Sequence, residues 1–381
     1  MNDSDLSALR EQLPACQSSA YLNAGTFGPL PRATHAAVAD ELEQEFWRGR
    51  IGLAAYARYG ERASAARRAF AEVFSSGPER VALTHSTTGA VNLALGGLDW
   101  HAGDEIVSTD AEHPGLDEPL DELARRYGVV IHRAAVLGVA DTAAPVEELL
   151  TDRTRLIAVS HVLWGSGQVL PLARLSAAAR DRGALLLADG AQSVGAIAID
   201  PAADGVDLYT ASGQKWLLGP SGTGALWIRE GVDEQLMLGQ PGYLSRDLRN
   251  PEKPLWTGAR RFDGASLAPA SLRGVAESVR FRREAIGWNE GFERAQEMAE
   301  RFRAVLADLP RVEVDRPAGP LSSLVTFAID GIDAEAASSA LEQRGVLVRW
   351  IERPRRVRAS VGFWTDDGDL ARLCEAIGAL K

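Results

Sequence analysis

The sequence has 381 residues, of which 46% are hydrophobic, a composition typical of a globular protein with two or three structural units. Asp and Glu number 52 against 41 Lys and Arg, so the formal charge is −11, which argues against nucleic acid or an anionic membrane as the main partner. The two cysteines, Cys16 and Cys374, stand far apart without a CxxC motif or a Cys/His cluster, so neither a disulfide framework nor a metal site is predicted.

The N-terminal stretch, "MNDSDLSALREQL", is polar and acidic and lacks the basic and apolar blocks of a signal peptide. No apolar run reaches the roughly 18 residues that a membrane-spanning helix needs. These features predict a cytoplasmic protein without a membrane partner.

Strands and helices alternate between Pro78 and Arg229. The predicted strands are "RVALTH", "DEIVST", "VVIHRAAV", "RLIAVSHV", "ALLLADG", "VDLYTAS" and "GALWIRE". The predicted helices between them are "TTGAVNLALGGL", "PLDELARRYG", "PVEELLTDRT" and "LARLSAAARDRG". This alternation predicts an α/β fold with a largely parallel sheet and helices on both of its faces. Ligands of such sheets bind at the carboxyl ends of the strands.

The C-terminal third has a different pattern. A loop rich in Gly, Pro and Arg is predicted from Gln240 to Pro269, and one extended helical pattern follows from Ser271 to Leu309. The order is then strand, helix, strand, strand, helix, in the segments "SSLVTFAI", "AEAASSALEQRG", "VLVRW", "RASVGF" and "DDGDLARLCEAIGAL". We predict a large α/β domain over residues 16–280, a small α+β domain over 281–381, and an N-terminal segment over 1–15.

Polar side chains follow the first predicted strand. Ser86, Thr87, Thr88 and Gly89 stand where this strand gives way to a helix. Hydroxyls and free N–H groups at a helix N-terminus form an anion site suited to a phosphate. Ordinary N-capping explains the same residues, since Ser and Thr are common caps.

Two further strand ends carry titratable residues. His113 follows the strand "DEIVST", and Asp189 ends the strand "LLLAD", with Gln192 three residues later. A carboxylate after such an apolar strand needs a cationic or hydrogen-bonded partner. A structural histidine and an N-cap aspartate are the alternative interpretations.

Cationic residues complete the pattern. Ser212 and Lys215 follow the strand "LYTAS", and Arg349 and Arg358 flank a turn that contains "IERP". The planar arginine fork suits a carboxylate, although surface ion pairs would also explain both arginines. A phosphate cup, an aromatic ring, an acid, a lysine and two arginines together favour one cofactor, pyridoxal 5'-phosphate.

The segments "DGAQSVG" and "ASGQKWLLGPSGTGAL" resemble the class V aminotransferase superfamily, whose best-known members are the cysteine desulfurases. The resemblance extends from Tyr21 to the final helix. The segments "GLDWHAGDEIVSTDAEHPG", "SHVLWGSGQVLPL" and "VRWIERPRRVRAS" are most similar to the L-cysteine/cystine C–S lyases. The resemblance implies a fold type I enzyme, with a mostly parallel seven-stranded sheet in a large domain and a small α+β C-terminal domain.

The resemblance also implies a role for each residue near the cofactor. Lys215 forms the Schiff base with pyridoxal phosphate and later moves the Cα proton. Asp189 pairs with the pyridine nitrogen, Gln192 contacts the ring 3-oxygen, and His113 stacks on the ring. The phosphate is bound by a set of polar side chains, namely Thr87, Thr88, Ser212 and Gln214.

The substrate and the partner subunit follow from the same resemblance. Arg349 and Arg358 match the positions that bind the substrate carboxylate, with Arg358 as the principal one. Asn23, Ala24 and Gly25 lie on a segment that lines the substrate pocket in relatives. Ser266 matches a residue that reaches the phosphate of the partner subunit, so a homodimer with a shared active site is expected.

The sequence departs from the desulfurases at two places. Gln214 stands where they usually have a histidine, and its amide can still donate to a phosphate. The turn Trp350–Val357 carries no cysteine, whereas related desulfurases have a nucleophilic cysteine between the two arginines. Cys374 falls in an amphipathic helix, where a buried cysteine is the ordinary interpretation. A persulfide-forming desulfurase is therefore disfavoured.

We accordingly predict a C–S lyase that performs β-elimination on cysteine, cystine, or an S-substituted cysteine or its sulfoxide. Other class V reactions, such as transamination, epimerisation and desulfuration, are the alternatives. A nucleotide-binding oxidoreductase is a less favoured alternative, because the segment "GPSGTGAL" lacks the strand–GxGxxG–helix order of a dinucleotide-binding site. Trp164 lines the substrate pocket or belongs to the core, and His85 assists the phosphate site or only caps a helix.

Overall fold

The N-terminal part of the chain is largely helical. The structure, a computed structural model, describes residues 3–380. The elements of this part are α1 (Asp3–Glu11), α2 (Ala15–Ser18), β1 (Ala20–Tyr21), α3 (Arg32–Arg48) and α4 (Leu53–Val73). Gly49 and Gly52 form the turn between α3 and α4 with φ angles of 78° and 93°, which a larger residue would adopt only under strain.

A seven-stranded sheet follows. Its strands are β2 (Val81–Thr84), β3 (Glu105–Thr109), β4 (Val130–Ala134), β5 (Thr154–Ser160), β6 (Leu185–Asp189), β7 (Leu208–Ser212) and β8 (Gly224–Ile228). They lie side by side in the order β2-β8-β7-β6-β5-β3-β4. Neighbours are parallel except where β8 pairs with β2 and β7. The prediction of a mostly parallel seven-stranded sheet is therefore confirmed.

Helices connect these strands. They are α5 (Thr87–Leu95), α6 (Pro114–Tyr127), α7 (Ala144–Glu148) and α8 (Leu172–Asp181). Successive strand residues point to opposite faces. Leu186 and Ala188 of β6 accordingly join one buried cluster, while Leu187 joins the cluster on the other face. Burial on both faces explains why the central strands are continuous apolar runs rather than alternating ones.

The carboxyl ends of several strands meet at one edge of the sheet. Ser160 at the end of β5 pairs with Asp189 at the end of β6. Because β8 runs antiparallel, its first residue, Gly224, pairs with both Thr84 of β2 and Ser212 of β7. A Cβ atom on Gly224 would lie only 2.8 Å from the Ala211 carbonyl oxygen, so the close approach of these strands requires a glycine there.

The predicted loop over residues 240–269 is also present. After α9 (Val232–Gln235), it contains only two short 3-10 turns, Tyr243–Ser245 and Gly258–Phe262. The helical pattern predicted from Ser271 to Leu309 is present as two helices, α10 (Pro269–Ile286) and α11 (Trp288–Ala307). Gly287 separates them with a φ of 75°, a conformation that helical residues do not adopt. In the described part of the chain, no helix is both long and apolar enough to cross a membrane.

The C-terminal part contains a second sheet. It is antiparallel, with the strand order β12-β13-β10-β9. Its elements are β9 (Val312–Val314), β10 (Leu324–Ile329), α12 (Ala334–Glu342), β11 (Val346–Leu347), β12 (Arg349–Ile351), β13 (Arg356–Ser360) and α13 (Asp367–Gly378). Strand β1 pairs in parallel with β11 and so ties the N-terminal segment to this part. The division into domains 16–280 and 281–381 stays a prediction, and residue 280 lies within α10.

Arg282 joins α10, α11 and the C-terminal part. Its side chain is completely buried. The guanidinium donates to the carbonyl oxygens of Gly287 and Trp288, and it lies 4.4 Å from the ring centroid of Phe363 and 5.3 Å from that of Phe292. Burial lowers the pKa of Arg282 to about 9. The aromatic rings and the two carbonyls thus hold a buried cation at the break between the helices.

Arg282→Ala should lower the free energy of unfolding by about 3 kcal/mol, because it opens a cavity and leaves two buried carbonyls without donors. Urea unfolding followed by circular dichroism measures this loss. Arg280→Ala is the matched control on the same helix, since Arg280 is exposed and pairs with Glu277 and Glu284. The free energy of unfolding of Arg280→Ala should fall by less than about 1 kcal/mol. Equal losses of unfolding free energy in the two variants would contradict the role given to Arg282.

Candidate active site

A cavity of about 180 Å³ opens at the carboxyl edge of the seven-stranded sheet. Ten of the residues predicted for the site line it, namely Thr87, Thr88, His113, Trp164, Asp189, Gln192, Gln214, Lys215, Arg349 and Arg358. These residues come from both sheets, from the first turn of α5 and from loops. The structure thus brings together the residues that the sequence analysis grouped, while their individual roles stay predictions.

Lys215 and Asp189 carry opposite charges in this cavity. Lys215 lies in the turn after β7, and burial together with the charges of Arg358 and Arg349 lowers its pKa to about 8, against the opposing effect of Asp189. Burial raises the pKa of Asp189, which the Lys215 charge and a 2.8 Å hydrogen bond from the Ala191 N–H partly offset. The amine is therefore closer to its neutral, nucleophilic form than a surface lysine would be.

His113 lies at the N-terminus of α6. Its Nδ1 atom accepts a hydrogen bond from the Gly115 N–H at 2.9 Å, so in the neutral ring the proton is on Nε2. Burial and the positive charges of Lys215, Arg349 and Arg358 lower the pKa of His113 to about 4. The ring therefore stays neutral at physiological pH.

Trp164 is only partly buried and faces the cavity rather than the core. Its ring packs edge-on against that of His113, with the ring centroids 5.1 Å apart. His85, the other position that the sequence left open, is exposed and does not line the cavity.

The start of α5 and the end of β7 carry unpaired hydroxyl groups. Ser86 caps α5, and its Oγ atom accepts from the Gly89 N–H at 3.0 Å. The Thr87 Oγ1 and Ser212 Oγ atoms are buried without a hydrogen-bond partner, and so is Gln214 Oε1. Buried polar groups normally have partners, so unpaired ones beside a helix N-terminus indicate an anion site. Ser86 thus has the capping role, and the adjacent residues remain available to bind an anion.

Two arginines of the second sheet also line the cavity. They face each other across β12 and β13, where their Cα atoms are paired. Arg358 is 1% exposed and donates from Nη1 to the Trp164 carbonyl at 3.0 Å, but its Nε and Nη2 atoms have no partner. Burial, together with the charge of Arg349, lowers its pKa to about 9. A buried guanidinium with two free donors is a binding site for a carboxylate.

The loop over residues 23–28 contributes part of the cavity lining. Neither Asn23 nor Ala24 lines the cavity, whereas their neighbours Gly25 and Thr26 do. Ala24 is buried in an apolar cluster, and Asn23 Oδ1 accepts from the Thr26 hydroxyl at 2.8 Å. Asn23 and Ala24 therefore position the two residues that reach the site. The analysis of the sequence missed Thr26, which accepts a long hydrogen bond of 3.4 Å from Arg349.

Besides Asn23 and Ala24, two further predicted site residues are absent from the cavity lining, Ser212 and Ser266. Ser212 ends β7 and is buried, two residues before Gln214, which does line the cavity. Ser266 lies in an exposed loop, where its hydroxyl accepts a hydrogen bond of 2.9 Å from the Tyr243 hydroxyl. A role for Ser266 in the site of a partner subunit stays a prediction.

Neither cysteine lines the cavity. Cys16 is buried in an apolar cluster, and burial raises the pKa of its thiol to about 12. Cys374 lies on α13, partly buried against the C-terminal core. The turn between β12 and β13 contains no cysteine. A thiolate nucleophile is therefore missing from the residues that surround Lys215 in the described chain.

Comparisons with known proteins identify the family. Residues 21–351 match the profile described as Aminotransferase class-V. An isopenicillin N epimerase of Amycolatopsis lactamdurans is 31% identical, over 98% of this chain and 98% of its own. A probable cysteine desulfurase of Methanothermobacter thermautotrophicus is 27% identical, over 90% of this chain and 86% of its own.

Two similar solved structures are of the protein C-DES, and both are 29% identical to this chain with a TM-score of 0.93. One is a complex between the cystine C–S lyase C-DES and its reaction product, cysteine persulfide, and the match covers 97% of this chain and 100% of that one. The other is a C-DES mutant with glycine covalently linked to the PLP cofactor, with coverage of 98% and 99%. These findings confirm the resemblance and leave no support for the nucleotide-binding alternative. The chain belongs to the class V aminotransferase family and is a pyridoxal-phosphate-dependent enzyme of fold type I.

Proposed function

We propose that this enzyme is a C–S lyase that performs β-elimination on cysteine, cystine, or an S-substituted cysteine or its sulfoxide. The products are a thiol or persulfide, pyruvate and ammonia. The observation that carries this proposal is the cavity itself, which is lined by Lys215, Asp189 and two arginines but by no cysteine. The similarity to a cystine C–S lyase supports the same reaction class.

The residues of the cavity fit pyridoxal phosphate. The unpaired hydroxyls of Thr87 and Ser212 would bind the phosphate at the N-terminus of α5, with Thr88 and Gln214 beside them. Burial raises the pKa of Asp189 and Lys215 offsets this only in part, so the protonated ring nitrogen would supply a further cation that favours the ionised carboxylate. Gln192 would contact the ring 3-oxygen, and His113 would stack on the ring.

Lys215 would be the general base of the reaction. When bound, pyridoxal phosphate withdraws electrons and so acidifies the Cα–H bond of an amino acid attached to it. Lys215, released from the cofactor by the incoming amino group, would take the Cα proton on Nζ. A pKa of about 8 suits this task, because a general base works best when its pKa is close to the working pH.

The substrate is held at its carboxylate. Arg358 offers two unpaired donors in fixed geometry, and Arg349 adds a second positive charge beside it. This anchorage would leave the substrate side chain toward Trp164 and His113, which form the adjacent wall. Both rings are neutral and favour a side chain without charge next to the reacting carbon.

Sulfur is the expected leaving atom. Loss of the Cα proton and cleavage of the Cβ–S bond form a double bond between these carbons, and water then releases pyruvate and ammonia. A thiolate or persulfide leaves more readily than hydroxide, so a sulfur amino acid is favoured over serine. Without a cysteine in the cavity to accept sulfur, the sulfur group would leave with its own substituent.

Epimerisation is the second candidate, because relatives named isopenicillin N epimerase match almost the entire chain. An epimerase returns the proton to Cα and keeps the side chain intact. Transamination and desulfuration remain the other class V alternatives. The products separate all four reactions.

The purified enzyme should be yellow, and borohydride should bleach it and fix the cofactor on the peptide that contains Lys215. The chain has three lysines, so Lys253→Ala, in an exposed loop, provides a control that should keep the colour. Lys215→Ala should lack the visible band of the covalently bound cofactor. A colourless wild-type protein that stays colourless with added pyridoxal phosphate would contradict the assignment.

A cysteine-free enzyme tests the elimination route. The chain has only two cysteines, so Cys16→Ala combined with Cys374→Ala removes every thiol. Pyruvate release from cystine and from S-substituted cysteines should change by less than about twofold in kcat/KM, because no thiol takes part. A coupled lactate dehydrogenase assay measures it. Loss of activity in a folded variant, or alanine as the product, would favour a desulfurase instead.

A homodimer with a shared active site is part of the proposal. Five apolar side chains at the turn between α3 and α4 are at least 66% exposed, namely Phe46, Trp47, Ile51, Leu53 and Tyr56. Clusters of this kind mark interaction surfaces, and a second copy of the chain would bury them. Ser266 would then approach the partner's phosphate site. The cytoplasmic location and the lack of nucleic-acid and membrane partners stay predictions from the sequence.

Light scattering should give twice the mass of one chain for the wild type, and Ile51→Glu with Leu53→Glu should shift it toward the monomer, because two charges would face the partner. The control is Tyr127→Glu, an equally drastic change at an exposed residue of another helix. A monomeric wild type at micromolar concentration would contradict the shared site.

A further inference from the structure

The amide of Gln192 is held between two groups of opposite hydrogen-bonding character. The indole N–H of Trp216 donates to Gln192 Oε1 at 3.0 Å, and Gln192 Nε2 donates to the Gly25 carbonyl oxygen at 2.9 Å. Gln192 is 4% exposed and Trp216 3% exposed, so water does not compete for either bond. Trp216 directly follows Lys215 in the chain.

Both contacts require the same orientation of the amide. An indole N–H can only donate, so the atom facing Trp216 must be the amide oxygen. A carbonyl oxygen can only accept, so the atom facing Gly25 must be the amide nitrogen. After these two bonds, the Gln192 amide has one N–H left for the cavity that it lines.

We propose that Trp216 is a positioning residue, which orients the Gln192 amide so that its free N–H donates to the ring 3-oxygen of the cofactor. This inference rests on the proposed function at one point only, which is the contact between Gln192 and the ring 3-oxygen. Without the indole, the amide would keep a single bond, and its buried oxygen would have no donor. The directional contact with the cofactor would then weaken.

The surroundings of Trp216 leave its indole little freedom. Its ring belongs to an apolar cluster that includes Leu13, Phe363 and Trp364. The turn that carries Gln192 packs against the Trp216 backbone, since a Cβ on Gly195 would lie 2.9 Å from the Trp216 carbonyl carbon. Gly195 has a φ of 86°, so this turn could not accept a larger residue without strain. The donor is therefore fixed by packing on both its ring and its backbone.

The same bonds connect the cofactor side of the cavity to the substrate side. The Gly25 carbonyl that binds Gln192 belongs to the loop over residues 23–28, and a Cβ on Gly25 would lie 2.7 Å from Arg358 Nη2. The Gly28 N–H donates to the Gln214 carbonyl at 2.8 Å. The hydrogen bond from Trp216 to Gln192 is therefore linked, through the loop over residues 23–28, to contacts with Gln214 and Arg358.

The test uses Trp216→Phe, which removes the indole donor but keeps an aromatic ring. The matched control is Trp364→Phe, since Trp364 lies in the same cluster and donates to a carbonyl outside the cavity, that of Tyr21, at 3.2 Å. The readout is the pH midpoint at which the visible absorption of the enzyme-bound cofactor changes. It reports the pKa of the nitrogen that links Lys215 to the cofactor.

Donation to the ring oxygen stabilises its anionic form and lowers the pKa of this neighbouring nitrogen. Trp216→Phe should therefore raise the midpoint by about half a pH unit or more, and Trp364→Phe should leave it unchanged. The charged groups facing Lys215, namely Asp189, Arg349 and Arg358, are the same in every variant. Gln192→Met should also raise the midpoint, and adding Trp216→Phe to it should cause no further shift.

If Trp216→Phe binds the cofactor and its pH midpoint is unchanged, the role of Trp216 is overturned. The role is also overturned if the midpoint shifts of Trp216→Phe and Gln192→Met add up in the double variant. If Trp216→Phe does not fold, benzothienylalanine introduced at this position keeps the shape of the ring while sulfur replaces the N–H group. It should give the same shift, and a wild-type midpoint would again overturn the inference. Because the titration needs only bound cofactor, a failure to form pyruvate would contradict the elimination reaction alone.

Discussion

The site depends on the balance of charge around one buried amine. Burial and the positive charges of Arg358 and Arg349 lower the pKa of Lys215 to about 8, although the charge of Asp189 acts in the opposite direction. Burial likewise shifts Asp189 and Arg358 toward neutrality, and Lys215 offsets the shift of Asp189 only in part. A cofactor with a cationic ring nitrogen and an anionic phosphate, together with an anionic substrate, would supply the missing charges.

The fold places these charges where the chemistry needs them. Parallel strands bring Asp189 and the segment containing Lys215 to one edge, and the reversed strand β8 brings the start of α5 beside them. The arginines come from the second sheet, so neither sheet alone forms the site. The loop over residues 23–28 holds the two halves together by bonds to Gln192, Gln214 and Arg349.

Much of this arrangement could be predicted from local sequence. The strands are apolar runs followed by polar residues, and Lys215 and Asp189 stand at such strand ends, so their meeting follows from the topology. Contacts across the chain could not be predicted in this way, such as Trp216 with Gln192. The break between α10 and α11 at Gly287 could not be predicted, because the helical periodicity of the sequence continues through this residue. Of the segment expected to line the pocket, Gly25 does line the cavity, but Asn23 and Ala24 do not, because spacing does not determine how a loop turns.

The central claim is that the enzyme breaks a Cβ–S bond rather than only exchanging a Cα proton. Proton NMR of the holoenzyme with L-cystine in heavy water follows all the competing products in one sample. Elimination predicts pyruvate and cysteine persulfide or its breakdown products in step with the loss of cystine. Exchange of the Cα proton with an intact side chain, or the appearance of alanine in place of pyruvate, would contradict it.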